Sequence, residues 1–232
     1  MQLAGIEEFP FVSKVLRINF IDIATKLIMN VQLPPFKSSA FDLDYVGVKA
    51  PMFSFTRLKG SDPVLGVEMA STGEVACLGD DFDEAFLKSL ISTGINIKPK
   101  SILLSTGSIK NKTEFLLEAR LLSELGIKLY ATEGTAKFLQ ENKIKVETLR
   151  WSSPGENSEV LSIIKDRKVD LVINIPRDNE VQSLENDYII RRKAVDLNIS
   201  LITNIEFARR YVKAIHKYFN GNLSVKSWDE YF

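Results

Sequence analysis

From residue 97 onward, short apolar runs alternate with longer stretches in which apolar residues recur at helical spacing. The predicted strands cover 101–105, 127–131, 145–149, 169–175 and 199–203. The helical stretches that follow them cover 113–125, 135–142, 158–166, 184–198 and 205–219. Strands that alternate with helices are typical of a parallel sheet covered by helices on both faces. Residues 97–232 are therefore predicted to form an α/β domain with a doubly wound, five-stranded parallel sheet.

Residues 1–96 have a different sequence pattern, because glycine and proline interrupt their apolar runs. Only 14–30 and 82–92 show helical spacing, and the rest has the character of strand and loop. This pattern indicates part of an α+β domain. The segment 94–100 contains Gly94 and Pro99 and is the predicted linker.

Charge and composition bear on the partners. The chain has 30 basic and 30 acidic side chains, so there is no overall positive field to attract nucleic acid. No apolar run approaches the roughly 18 residues of a membrane span. The first residues have no basic or apolar segment typical of a signal peptide. Cys77 is the single cysteine, so neither a disulfide nor a cysteine metal site is expected within the chain. We expect no nucleic acid, membrane or metal partner.

The turn after the second strand of this domain contains Thr132, Glu133, Gly134 and Thr135. Backbone N–H groups at the start of a helix are free, and the helix dipole is positive there. Gly134 is expected to let the backbone turn tightly. The turn therefore predicts a cradle for a phosphate or carboxylate. Plain helix capping by threonine is the alternative.

Other predicted strands of this domain also end in polar or aromatic residues. Carboxyl ends of parallel strands meet at one edge of the sheet, so these side chains are expected to converge. The candidate binding residues at these other ends are Ser105 and Lys110 after the first strand, Trp151 after the third, and Asn174, Arg177 and Asn179 after the fourth. Of these, Trp151 is equally well explained as a packed surface residue.

Catalytic signals are weak. The only histidine, His216, falls in the last predicted helix, far in sequence from every strand end. No phosphate-binding P-loop, dinucleotide fingerprint or Ser–His–Asp set is present. We therefore predict a site that binds rather than reacts, with no catalytic residue.

Several motifs resemble one family. The runs "FPFVSKVLRINFIDIATKLI", "DYVGVKAPMFSFTRLKGSDPVLGVEMASTGEVACLG" and "EAFLKSLISTGI" resemble the end of the second ATP-grasp unit of the large chain of carbamoyl-phosphate synthetase. The runs "LYATEGTAKFL", "DLVINIP" and "DYIIRRKAVDLNISLITN" resemble the methylglyoxal-synthase-like domain that follows it. The resemblance implies that residues 1–96 are an ATP-grasp remnant and that 97–232 are an allosteric domain.

The family makes carbamoyl phosphate from bicarbonate, ammonia or glutamine nitrogen, and ATP with magnesium. The resemblance implies that Thr132 and Thr135 hold the acidic group of an effector, either N-acetylglutamate or a nucleotide such as UMP, UTP or IMP. Trp151, Asn174 and Asn186 correspond to the site of the urea-cycle type, which the chain resembles most. Where that type has asparagine just after the proline, this chain has Arg177, and Asn179 stands two residues later.

The resemblance also sets the expected partners and location. The family's metal-binding residues are expected before "FPFVSK", but "MQLAGIEE" stands there. We therefore expect this chain to hold no cofactor, to be inactive alone, and to act with the remainder of the synthetase. It is expected in mitochondria if it is of the urea-cycle type and otherwise in the cytoplasm. A lyase resembling methylglyoxal synthase and a non-catalytic scaffold are the alternatives.

Overall fold

A computed structural model describes residues 8–35, 42–64, 73–151, 158–176 and 181–231. The first part of the chain contains α1 (Glu8–Leu16), α2 (Phe20–Ile28), β1 (Val46–Met52), β2 (Gly73–Gly79) and α3 (Phe82–Ser92). The second part contains β3 (Ser101–Ser105), α4 (Ile109–Glu114), α5 (Leu116–Glu124), β4 (Lys128–Thr132), α6 (Glu133–Glu141), β5 (Glu147–Leu149), α7 (Glu159–Lys165), β6 (Leu171–Asn174), α8 (Val181–Asp196), β7 (Ser200–Ile202) and α9 (Ile205–Tyr218). A 3-10 turn, Trp228–Tyr231, follows α9.

The second part is a doubly wound α/β sheet, as predicted. Its strands are all parallel and lie in the order β5-β4-β3-β6-β7. The chain winds outward from β3 in one direction and then returns to begin again at β6. The point where the winding reverses therefore lies between β3 and β6, where Ser105 pairs with Asn174 at the carboxyl ends.

The central strands β3, β4 and β6 are buried on both faces. In β3, Ile102 and Leu104 belong to one hydrophobic cluster, and Leu103 belongs to the other. This alternation is the period of two that a strand imposes on its side chains. The apolar runs in the sequence are continuous rather than alternating because helices cover both faces of a parallel sheet.

The first part is α+β, with β1 and β2 paired antiparallel. The single helix predicted over 14–30 is wrong, since α1 and α2 are separated at Arg17, which has a φ of 54°. Asn19 then caps α2 by accepting a hydrogen bond from the Asp22 backbone N–H at 3.0 Å. The apolar spacing runs through both helices and hides this break, because periodicity does not detect a capping residue.

The predicted linker 94–100 is tied to the sheet part. The Asn96 backbone N–H donates to Ser200 Oγ at 3.0 Å, and the Tyr211 hydroxyl donates to the Asn96 carbonyl at 2.6 Å. Phe86, Leu87 and Leu90 of α3 also belong to the same cluster as Ile102 and Leu104. The hydrophobic core therefore crosses residue 96, and the division into 1–96 and 97–232 stays a prediction.

Among the described residues, no helix is both long and apolar enough to cross a membrane.

Candidate functional site

The carboxyl ends of β3, β4 and β6 bring Ser105, Thr132 and Asn174 to one edge of the sheet. Thr132 Oγ1 lies 3.5 Å from Ser105 Oγ, to which it donates. Ser105 and Asn174 are adjacent in register. Three residues predicted from separate strand ends are thus brought together at the point where the strand order reverses.

Thr132 is the N-cap residue of α6, but its hydroxyl makes no capping hydrogen bond to that helix. Its hydroxyl reaches across to β3 instead. Helix capping therefore does not account for a threonine here. Gly134 lies within the first turn of α6 and is not among the described glycines with positive φ, so the expected tight glycine turn is wrong at this position.

Thr135 is buried in the first turn of α6 and ties that helix to the segment after β3. Its Oγ1 accepts a hydrogen bond from the Thr106 backbone N–H at 3.2 Å and lies 3.5 Å from the Thr106 hydroxyl. Gly107, the residue after Thr106, has a positive φ of 60°. Thr135 therefore fixes the distance between the two polar turns.

Asn174 is fully buried, and both ends of its amide are bonded to protein groups. Its Nδ2 donates to Asp187 Oδ1 at 3.0 Å, and its Oδ1 accepts from Arg191 Nη1 at 2.9 Å. Ser105 Oγ also donates to Asp187 Oδ1, at 3.3 Å. A connected polar network therefore lies under the strand ends, and such networks hold their members in one arrangement.

Asp187 is a residue that the sequence reasoning missed. It is buried on α8, whereas the neighbouring predicted residue, Asn186, is half-buried. The buried residues Asp187, Ile190, Arg191 and Ala194 are spaced as i, i+3, i+4 and i+7. Counting back along that face from Ile190 would have selected Asp187. The involvement of Asn186 stays a prediction.

The remaining predicted residues differ in their surroundings. Trp151 is half-buried and packs against the hydrophobic cluster that contains Leu103. Lys110 has a side chain 82% exposed and lies 3.9 Å from Glu114 on its own helix. The buried lysine of this segment is Lys112, which the sequence reasoning did not select.

Arg177 and Asn179 lie outside the described residues. His216 lies in the last helix, α9, as predicted, and is exposed there. Within the described part of the chain, no three His, Cys, Asp or Glu side chains are grouped so that they could hold a metal ion.

Comparison with known proteins finds one matching domain model and several similar proteins. Residues 114–203 match the model of the MGS-like domain. Over 229 residues, which are 95% of this chain, 46% are identical to the multifunctional protein pyr1-3 of Dictyostelium discoideum. Identity is 45% over 230 residues with the multifunctional protein URA2 of Saccharomyces cerevisiae. It is 42% over 237 residues with the mitochondrial carbamoyl-phosphate synthase [ammonia] of Aquarana catesbeiana.

The chain spans 10%, 10% and 16% of the length of these three relatives. A crystal structure of methylglyoxal synthase from Elizabethkingia anophelis NUHP1 covers 57% of this chain and 89% of its own, with a TM-score of 0.36 and 17% identity. At that score, the comparison adds nothing to the strand order seen in the sheet itself. The chain contains an MGS-like domain and is homologous over most of its length to C-terminal parts of carbamoyl-phosphate synthases, which confirms the family resemblance.

Proposed function

We propose that the chain is the regulatory portion of a carbamoyl-phosphate synthetase and binds a small acidic effector at the carboxyl ends of β3, β4 and β6. The meeting of Ser105, Thr132 and Asn174 at the point of strand reversal carries the proposal. The remainder of the synthetase is the partner that makes carbamoyl phosphate with ATP and magnesium. The first part of this chain is then the end of an ATP-grasp unit.

The acidic group of the effector binds at the start of α6. The first backbone N–H groups of this helix have no partner within the helix, and the dipole contributes about 0.3–1 kcal/mol toward an anion there. The Thr132 hydroxyl adds a donor, because its present bond to Ser105 is long, at 3.5 Å, and is readily exchanged. Thr135 supports this cradle by accepting a hydrogen bond from the Thr106 backbone N–H.

N-acetylglutamate is the effector that the resemblance to the urea-cycle type favours. Asp187 supports the second candidate, a nucleotide of the UMP, UTP or IMP class. An ionised carboxylate accepts hydrogen bonds and cannot donate them, so a second ligand carboxylate beside it meets like charge. A ribose hydroxyl of a nucleotide can instead donate a hydrogen bond to the Asp187 carboxylate. A nucleotide effector accords with a cytoplasmic pyrimidine-type synthetase, and N-acetylglutamate with a mitochondrial one.

The effector acts by population shift. It binds one arrangement of the domain more tightly and moves the synthetase toward that state by the difference in binding free energy, typically about 1–3 kcal/mol.

Calorimetric titration of this chain with N-acetylglutamate, UMP, UTP and IMP tests the proposal. Saturable binding of one class assigns the effector type. An isosteric Asp187→Asn variant sharpens the result, because it should weaken nucleotide binding and relieve the repulsion of N-acetylglutamate. Absence of binding by all four ligands would favour the scaffold alternative.

A further inference from the structure

Arg191 on α8 connects the strand-end site to the first part of the chain. Its Nη1 donates to Asn174 Oδ1 at 2.9 Å. Its Nε and Nη2 donate to the two carboxylate oxygens of Asp62, at 2.8 and 2.5 Å. One planar guanidinium thus binds the end of β6 on one side and makes a two-pronged ion pair on another.

Asp62 lies in the segment 53–64, which follows β1 and which we call the 53–64 loop. Two neighbours of Arg191 on α8 bind the same loop through its backbone. Arg192 donates to the carbonyls of Leu58 at 2.9 Å, Phe55 at 3.1 Å and Ser61 at 3.2 Å. The Tyr188 hydroxyl donates to the Gly60 carbonyl at 2.8 Å. The loop is therefore held to α8 largely by directed polar bonds, which depend on where the α8 side chains lie.

The two partners of Arg191 differ in how easily they can be released. The side chain of Arg191 is 3% exposed, and that of Asp62 is 40% exposed. A buried guanidinium without partners is costly, whereas a half-exposed carboxylate can return to water. Arg191 must therefore stay bonded, and a change at Asn174 is expected to alter its hold on Asp62.

We propose that Arg191 is a positioning residue that transmits occupancy of the strand-end site to the 53–64 loop. This inference rests on the proposed function in that an effector is the natural cause of a change at Asn174. A ligand that takes a hydrogen bond from the Asn174 amide changes the orientation of that amide. The guanidinium then shifts, and the loop moves with Asp62.

Hydrogen–deuterium exchange of the whole chain tests the connection without any ligand. Asn174→Leu removes the bonds to Arg191 and Asp187 and keeps the branched shape of the side chain. The peptide 53–64 should then exchange at least about threefold faster, because the loop is held by fewer oriented bonds. Thr113→Val is the control: Thr113 is exposed on α4 and its hydroxyl donates to the Ile109 carbonyl at 2.9 Å, so this change should leave the peptide unchanged. Equal uptake in wild type and Asn174→Leu, or equal acceleration by Thr113→Val, would overturn the proposal.

Asp62→Asn tests the connection from the other side. This half-exposed position tolerates an isosteric change, so the variant should fold even if Asn174→Leu does not. It should also accelerate exchange in the peptide 53–64, and unchanged uptake there would contradict the role of the ion pair.

The last test measures hydrogen–deuterium exchange with a ligand bound. Saturating UMP or N-acetylglutamate, whichever binds by calorimetry, should alter uptake of the peptide 53–64 in wild type but not in Asp62→Asn. Binding without that difference would overturn the coupling. If neither ligand binds, the proposed function fails, while the mutational arms still decide whether Arg191 connects the two parts.

Discussion

In the sheet part of the chain, the strands β3 and β6 are almost entirely inaccessible to water, whereas none of the residues of α2 is buried. The sheet part is held by two apolar clusters, one on each face. The first part is joined to it by the apolar packing of α3 and Val48 and by polar bonds such as those of Arg191 and Arg192. The sheet part therefore carries its own stability, while the first part depends on its neighbours.

The largest expected effect contrasts two leucines. Leu103→Ala in β3 removes a fully buried side chain and should lower the free energy of unfolding by about 2.7–5 kcal/mol, because a cavity remains. Leu27→Ala in α2, where the side chain is 58% exposed, should change it by less than about 0.5 kcal/mol. Urea denaturation measures both values. Similar losses from the two variants would show that the contrast between the parts is false.

Thr135→Val tests the link between the two polar turns. The variant keeps the side-chain volume but leaves the buried Thr106 N–H without its acceptor, which should cost about 1–3 kcal/mol of unfolding free energy. Thr135→Ser keeps the hydroxyl and should lose much less. Thermal or urea unfolding of the two variants measures both losses, and a loss in Thr135→Val no larger than that in Thr135→Ser would contradict the role of the hydroxyl.

Glu84 in α3 joins the first part to the C-terminal tail. Burial alone would raise its pKa, but hydrogen bonds from the Ser224 hydroxyl and backbone, from the Asp80 backbone and from Lys88 lower the pKa to about 2. Because its pKa is lowered in the folded state, Glu84 contributes stability at pH values above its ordinary pKa of 4.5. This contribution is lost as the pH falls toward 2. Unfolding free energy should therefore decline over that range.

Glu84→Gln should show a shallower decline over the same pH range than the wild-type chain. Glu133→Gln is the control, because Glu133 is exposed at the start of α6. Parallel pH profiles for wild type and Glu84→Gln would contradict the assignment.

The smallest expected effect concerns Lys110. Its side chain is 82% exposed and its distance to Glu114 is 3.9 Å, so Lys110→Ala should change stability by less than about 0.5 kcal/mol. Its place in the binding site stays a prediction. A tenfold loss of effector affinity in this variant would bring Lys110 into the site, and unchanged affinity would remove it.

Periodicity predicts the sheet part because its central strands are buried on both faces and its helices pack one face against them, so the apolar pattern is strong. It fails at α1 and α2, where the chain breaks at Arg17 and Asn19 caps a new helix within a continuous apolar pattern. Ser105, Thr132 and Asn174 were found because parallel strands bring their carboxyl ends together. Asp187 was missed because the helical register of α8 had to be counted from its buried face. Asp62 gives no signal in the sequence, since its partner lies 129 residues away.

The central claim is that the start of α6, with Thr132, holds the acidic group of an effector. The most direct test is calorimetric titration of wild type, Thr132→Val and Thr113→Val with whichever of UMP and N-acetylglutamate binds the wild-type chain. Thr113 is the matched control, an exposed threonine whose hydroxyl bonds within its own segment to the Ile109 carbonyl at 2.9 Å.

Loss of a charge-assisted hydrogen bond of about 1.5–3 kcal/mol predicts affinity weakened by about tenfold or more in Thr132→Val. Thr113→Val should bind as the wild type does. Undiminished affinity in Thr132→Val would contradict the account.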